Sequence, residues 1–91
     1  MLVSLDEVKE YLRIDVADED ALLTGLLATA QGLCESVARM SEEELEQAGG
    51  AARTAVLYAV AYLYEHRAEA DHHELVLTLR ALMFGLRKDG F

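Results

Sequence analysis

Three histidines and one cysteine are the residue types in this chain best suited to bind a metal ion. His72 and His73 are adjacent, so on a helix their rings would point about 100° apart. A zinc site needs three or four ligands converging at tetrahedral angles, and the chain has neither a second cysteine nor a His-x-x-x-His spacing. We therefore predict no metal site. His66 is expected at the end of one helix, and the adjacent pair in the first turn of the next.

Nucleophilic chemistry has equally little support. Cys34 is the only cysteine, which excludes an internal disulfide, and it falls on an apolar stripe, as a small buried residue would. The sequence has no nucleophile motif and no glycine-rich phosphate loop, and its carboxylates resemble a solvated charged surface. Arg80, Arg87 and Lys88 are too few bases for a nucleic-acid footprint. We expect no enzyme activity, no cofactor and no small-molecule substrate.

A polar cluster closes an almost wholly apolar segment, in the sequence Tyr-Glu-His-Arg at 64–67. Tyr64 extends the apolar side and carries a hydroxyl that can reach its boundary. Arg67 lies near the negative end of the helix dipole, where a cation is favoured, and its guanidinium can pair with a carboxylate of the first helix or of a neighbouring subunit. We interpret Tyr64, Glu65 and Arg67 as a helix-end anchor.

Helical hydrophobic periods dominate the chain, and no segment has the period of a strand. The prediction is an all-α fold, a compact bundle of four helices in a single domain, 1–91. The predicted helices cover about residues 5–14, 19–40, 51–68 and 72–88. Ser4 and Glu7 form a capping-box pattern at the first helix. Ser41 and Glu44 form another, but Ser41–Gly50 is short and acidic, so it is predicted to be a loop with at most one helical turn.

Apolar stripes indicate which helix faces form the core. The third helix is apolar on all sides, which is typical of a central helix. Asp18 is the expected N-cap of the second helix, and Asp71 and Glu74 are expected to cap the fourth. The second helix buries Leu22, Leu23, Leu26, Leu27, Ala30, Leu33, Cys34, Val37 and Met40. The fourth buries Leu75, Val76, Leu79, Leu82, Met83 and Leu86.

Two further helix faces carry small or apolar residues on the side opposite the core. On the second helix these are Gly25, Ala28, Gly32 and Ser36, and on the fourth they are Leu77, Ala81 and Phe84. A glycine inside a helix costs about 1 kcal/mol relative to alanine, which the close approach of another backbone would explain. Neutral drift on a solvated face, and scattered apolar surface residues, are the alternatives. We predict that both faces form a subunit interface.

The charge of the chain is strongly negative and unevenly distributed. The net charge is −9, with 12 acids and three bases in residues 1–50 against five of each in residues 51–91. An acidic half disfavours wrapping around DNA, because binding phosphates relies on lysine and arginine. The longest unbroken apolar run, 55–64, is shorter than the about 20 residues that span a bilayer, and no signal-peptide pattern is visible. We expect a soluble protein with no membrane contact.

Four stretches give the sequence a family likeness: LDEVKEYLRID (5–15), DEDALL (18–23), AYLYEHR (61–67) and LRALMFGLRK (79–88). Together they resemble the small phage head–tail connector proteins, also called head-completion, adaptor or DNA-packaging proteins. The matching positions are Leu12, Arg13, Ile14, Asp15, Leu22, Leu23, Tyr64, Glu65 and Arg67. The chain departs from its relatives in having no proline before the last helix and only a short connection at 41–50.

This resemblance implies an all-helical subunit of a homo-oligomeric ring beneath the portal, with no catalytic residues. It implies portal and tail-completion proteins as partners, and DNA passing by without sequence-specific binding. The location would be the head–tail junction of the virion, with assembly in the bacterial cytoplasm, and the gene could belong to a phage or a prophage. The alternative is a small acidic helical module that binds or regulates a protein, as a monomer or dimer. A ring needs two unlike contact edges, which the two small or apolar faces could supply.

Overall fold

The computed structural model describes residues 1–68 and 72–84, and every regular element in them is a helix. Five helices are present in these residues: α1 (Leu5–Leu12), α2 (Asp20–Ala38), α3 (Glu42–Ala48), α4 (Gly50–Glu65) and α5 (His73–Leu82). The Cα radius of gyration is 12.7 Å, close to the about 12 Å expected for a domain of this length. The all-α prediction is confirmed, and the predicted number of four helices is corrected to five.

The first helix begins as its capping box predicts. The Glu7 amide donates to Ser4 Oγ at 3.1 Å, and the Ser4 amide donates to Glu7 Oε1 at 3.0 Å. α1 ends before the predicted position 14 because Arg13 turns into the left-handed region, with φ 60°. The Ile14 amide then donates to the carbonyl five residues earlier at 2.8 Å, which closes the helix end.

The predicted loop at 41–50 is wrong, because this segment holds the helix α3. Its capping box is complete: the Glu44 amide donates to Ser41 Oγ at 3.2 Å, and the Ser41 amide donates to Glu44 Oε1 at 3.0 Å. Leu45 is fully buried and anchors this short acidic helix against α4. Gly49, with φ 80°, makes the turn into α4, and a side chain would be strained at that angle.

The pair of α2 and α4 forms the centre of the fold, and the other helices pack around it. Both helices are shorter than predicted. α2 spans Asp20–Ala38 where 19–40 was predicted, and α4 spans Gly50–Glu65 where 51–68 was predicted. Glu19, rather than Asp18, occupies the N-cap of α2, and its side chain makes no capping hydrogen bond. The buried residues of α2 are Leu23, Leu27, Ala30, Gln31, Cys34 and Ala38. Those of α4 are Ala52, Ala55, Val56, Ala59, Val60 and Leu63.

Several predicted core positions are more exposed than expected. Leu22 is exposed at the edge of the predicted α2 stripe. Four other residues of that stripe are only half-buried, namely Leu26, Leu33, Val37 and Met40. α5 buries Leu75 and Leu79, followed by Met83, but Leu82 is 42% exposed, so its predicted core position is wrong. The predicted cap Asp71 and core residue Leu86 lie outside the described residues.

α2 also meets the length and composition of a helix that could cross a membrane, with 19 residues. The core helix of a globular protein meets the same two criteria. In this fold α2 packs against α1, α4 and α5, and its fully buried side chains include Leu23 and Cys34. About a third of this helix window (33%) is buried inside the fold, so packing accounts for part of its apolar composition.

Candidate assembly surfaces

Glu19 belongs to the predicted helix-end anchor, although the sequence analysis did not assign it there. The Tyr64 hydroxyl donates to Glu19 Oε1 at 2.6 Å, and Arg67 Nη1 lies 3.7 Å from Glu19 Oε2. The Arg67 guanidinium also lies over the Tyr64 ring, 4.8 Å from its centroid, in a cation–π arrangement. These contacts join the end of α4 to the start of α2. The carboxylate that pairs with Arg67 is thus that of Glu19, just before α2, and not one on the first helix as predicted.

The electrostatics of this anchor favour a neutral tyrosine. The hydrogen bond to Glu19, followed by burial, raises the pKa of Tyr64 above its usual value, while the Arg67 charge works in the opposite direction. Tyr64 therefore acts as a hydrogen-bond donor at neutral pH. Glu65 does not join these side chains, because it is exposed and lies along a different groove.

Two of the three histidines, His66 and His72, meet the aromatic ring of Tyr62. The His66 ring stacks on Tyr62 with centroids 4.0 Å apart and an interplanar angle of 15°, and His66 Nδ1 lies 2.8 Å from the Tyr62 carbonyl oxygen. The His72 ring meets the same tyrosine edge-on at 6.4 Å. Within 1–68 and 72–84, no three His, Cys, Asp or Glu side chains form a group that could hold a metal ion.

Cys34 is placed where a nucleophile could not operate. Its side chain is fully buried. Burial, together with the nearby Glu35 charge, raises the pKa of the thiol to about 12. Because the thiolate is the reactive form, this cysteine is an apolar filler of the α2 core at neutral pH.

The outer face of α5, defined as Leu77, Ala81 and, two residues past the helix end, Phe84, is open to solvent. Leu77 is 47% exposed and Phe84 is 69% exposed, and Ala81 between them is also exposed. Arg80 is exposed beside this stripe. Leu77 and Ala81 lie one turn apart on the same side of α5.

The small face of α2, defined as Gly25, Ala28, Gly32 and Ser36, is exposed along its whole length. A Cβ atom placed on Gly25 or Gly32 would meet no other atom within 4 Å. The two glycines are therefore not required by any close approach inside the described chain.

A third surface, which the sequence analysis did not identify, runs between α1 and α4. We call it the α1/α4 groove. Two open pockets of about 300 and 310 Å³ lie along it, and Tyr11 lines both. Its residues are Glu7, Glu10, Tyr11, Leu57, Tyr58, Ala61, Tyr62, Glu65 and His66. Tyr11 is 50% exposed, and three of the four tyrosines in the chain line this surface.

The fold and its open apolar surfaces fit a protein that functions by contact with other proteins. A family model of phage gp6-like head-tail connector proteins matches residues 2–88 of the chain. The chain belongs to this connector family. No curated protein and no solved structure matches the chain.

Membership of this family makes the connector a virion component that assembles with other phage head and tail proteins. The resemblance carried by the four sequence stretches is thereby confirmed. Two of those stretches, 18–23 and 61–67, meet in the Tyr64 and Arg67 contacts to Glu19. The contact surfaces predicted on α2 and α5 are exposed.

Proposed function

We propose that this connector is a non-catalytic subunit of a ring at the head–tail junction, below the portal. In this role it takes part in head completion and in packaging and retaining the genome. The family match over residues 2–88 carries the proposal, since it spans nearly the whole chain. It also favours the connector role over the alternative of an acidic regulatory module.

The proposed subunit contacts use the outer face of α5 and the small face of α2. A head-to-tail ring requires two unlike surfaces on each subunit, and these two differ in shape and composition. The first presents large apolar side chains, with Phe84 69% exposed. The second is smooth, because at Gly25 and Gly32 it has no side chain that would keep an approaching backbone away.

The proposed relation to DNA is passage without a sequence-specific grip. Residues 1–50 carry 12 acids and only three bases, and such a surface repels phosphate rather than binding it. An acidic wall would let the genome slide through the ring. The proposed partners are therefore proteins, namely the portal and the tail-completion proteins, and assembly is proposed to take place in the cytoplasm of the host bacterium.

The test is removal of the connector gene from the phage or prophage that encodes it. We expect particles that package DNA but fail to attach tails and then lose the genome, as judged by electron microscopy and by nuclease sensitivity of the packaged DNA. Supplying the wild-type chain from a plasmid should restore tailed particles. Tailed, infectious particles in the complete absence of the chain would refute the proposed function.

A further inference from the structure

Both ends of the connection between α4 and α5 contact the aromatic ring of Tyr62. His66 follows the last residue of α4, and its ring stacks on the Tyr62 ring with centroids 4.0 Å apart. His72 precedes the first residue of α5, and its ring meets the Tyr62 ring edge-on, with an interplanar angle of 83°. A single side chain of α4 thus joins the end of one helix to the start of the next.

His66 is held in this stack by its backbone as well as by its ring. Its amide donates to the Tyr62 carbonyl at 2.9 Å, and its Nδ1 lies 2.8 Å from the same oxygen. Because a carbonyl oxygen only accepts, Nδ1 carries the proton and donates it. Arg67, the next residue, adds its ion pair with Glu19 before the start of α2. The chain therefore leaves α4 in one fixed direction.

The contacts of α5 with the core do not by themselves fix its direction. Leu75 and Leu79 are fully buried where α5 packs against α2 and α4. Burial of apolar surface is non-directional, so it favours any arrangement that removes these side chains from water. Aromatic pairs, in contrast, prefer offset-stacked or edge-to-face arrangements at defined separations. α5 begins without a side-chain capping bond, and the His72 contact with Tyr62 is made at that position.

We propose that Tyr62 is a positioning residue for the outer face of α5. Its ring connects His66 to His72, and this aromatic contact sets the angle at which α5 lies against α2 and α4. The inference rests on the proposed function, in which the outer face of α5 contacts a neighbouring subunit, and it names the side chain that orients that face. The ring is the part of Tyr62 that is required, since both histidine contacts are made with it.

A distance measurement between α5 and α2 tests this role. Ala81→Cys and Ala28→Cys, both at exposed positions, are combined in one chain and labelled with nitroxides. Cys34 stays unlabelled, because it is buried and its thiol pKa is raised. Double electron–electron resonance on the purified chain, diluted with unlabelled chain, gives the distribution of label distances. We expect Tyr62→Leu to broaden this distribution at least twofold and Tyr62→Phe, which keeps the ring, to leave it unchanged.

Tyr58→Leu is the matched control, since Tyr58 is also half-buried and lies one turn earlier on α4. Its distribution should equal that of the wild type. An unchanged distribution in Tyr62→Leu would overturn the proposal, and so would equal broadening in Tyr58→Leu or in Tyr62→Phe. If Tyr62→Leu loses its helical circular dichroism, the double variant His66→Ala/His72→Ala removes the same ring contacts from outside α4. A narrow distribution in that double variant would refute the proposal.

Complementation separates this inference from the proposed function. In a phage that lacks the connector gene, Tyr62→Leu should restore at least tenfold fewer tailed particles than Tyr62→Phe. Equal restoration by a Tyr62→Leu chain with a broad distribution would show that assembly does not depend on the direction of α5. That result would overturn the inference and leave the connector role intact, whereas tailed particles in the absence of the chain would refute the proposed function itself.

Discussion

At the scale of single residues, Gln31 is the one buried polar side chain on the core side of the described helices. It is 3% exposed, and its Oε1 accepts the Leu2 amide at 2.9 Å while its Nε2 donates to Glu35 Oε2 at 3.1 Å. Arg53 completes the arrangement by donating to the Leu2 carbonyl at 2.7 Å. Side chains from α2 and α4 thus satisfy both backbone polar groups of a buried residue that precedes the first helix.

Replacing Gln31 should therefore destabilise the fold. Gln31→Met keeps the length and volume of the side chain but leaves the buried Leu2 amide without an acceptor, at a cost of about 1–3 kcal/mol. Urea unfolding followed by circular dichroism measures the change. Gln47→Met, at an exposed position of α3, is the control and should fall within about 0.5 kcal/mol of wild type. Equal stability of the two variants would show that the Leu2 contact contributes nothing.

Cys34 offers a chemical test of burial. With a pKa of about 12 instead of the ordinary 9.0, its thiolate fraction at pH 8 is roughly a thousandfold lower than that of an exposed thiol. Labelling with a thiol reagent such as DTNB should be correspondingly slow in buffer and rapid in 8 M urea. Fast labelling of the folded chain would place this side chain at the surface.

At the scale of elements, a side-chain cap secures the start of two of the five described helices. α1 and α3 start with the same reciprocal pair, a serine at the N-cap and a glutamate three residues later. α2 and α5 begin without any side-chain capping bond, at Glu19 and His72. The two short helices are thus the ones secured at their starts, as expected where few residues are available for packing.

The capping glutamate of α1 should make stability depend on pH. Hydrogen bonds from the Ser4 amide and then from Arg53 lower the pKa of Glu7 below its ordinary 4.5. The ionised form therefore stabilises the fold above pH 4.5, and this contribution is lost as the pH falls through the folded pKa. In Glu7→Gln the free energy of unfolding should be lower at pH 7 and should fall less steeply below pH 4.5. Glu43→Gln, in the first turn of α3, is the control, and an identical slope in all three proteins would contradict the prediction.

Two neighbouring leucines of α2 should respond differently to truncation. Leu23 is fully buried, so Leu23→Ala should cost about 2–5 kcal/mol through lost packing and a cavity. Leu26 is half-buried at the edge of the stripe, and Leu26→Ala should cost clearly less. Chemical denaturation of both variants under the same conditions measures the difference. A larger loss for Leu26→Ala would mean that this edge is covered in solution.

The sequence predicted the long helices well because their apolar periods are local signals, and it predicted the start of the short α1 because the Ser4 cap is a local signal too. It missed α3, whose acidic composition and following glycines resemble a loop, although Leu45 supplies the buried anchor. It also missed the helix ends at Arg13 and Arg39, since the left-handed residue there is arginine instead of the usual glycine. Gln31 was missed because its partner, the Leu2 amide, lies 29 residues away along the chain.

At the scale of the whole molecule, the chain buries one core and leaves separate surfaces open. The small face of α2 and the outer face of α5 were recognisable from sequence, since each lies opposite a stripe of core residues. The α1/α4 groove was not, because it exists only where two helices meet. Tyr11 comes from one helix, and Tyr58 and Tyr62 come from another, so no local pattern joins them.

A charged residue on the outer face of α5 should block assembly without unfolding the chain. Phe84 is 69% exposed, so Phe84→Asp should retain helical circular dichroism and the wild-type melting temperature. It should nevertheless fail to restore tailed particles to a phage that lacks the connector gene. Val16→Asp is the matched control, since it places the same charge on another exposed apolar residue, 58% exposed, in the connection between α1 and α2. Outright unfolding of Phe84→Asp would mean that the Phe84 side chain belongs to the core.

The tyrosine lining of the α1/α4 groove also gives the protein a built-in optical reporter. The chain contains no tryptophan, so its ultraviolet emission comes from tyrosine alone, and three of the four emitters sit in that one groove. Any partner that enters the groove must change their surroundings, and with them the brightness of the whole protein. Occupancy of this surface can thus be followed in unlabelled wild-type material, from dilute solution to the finished particle.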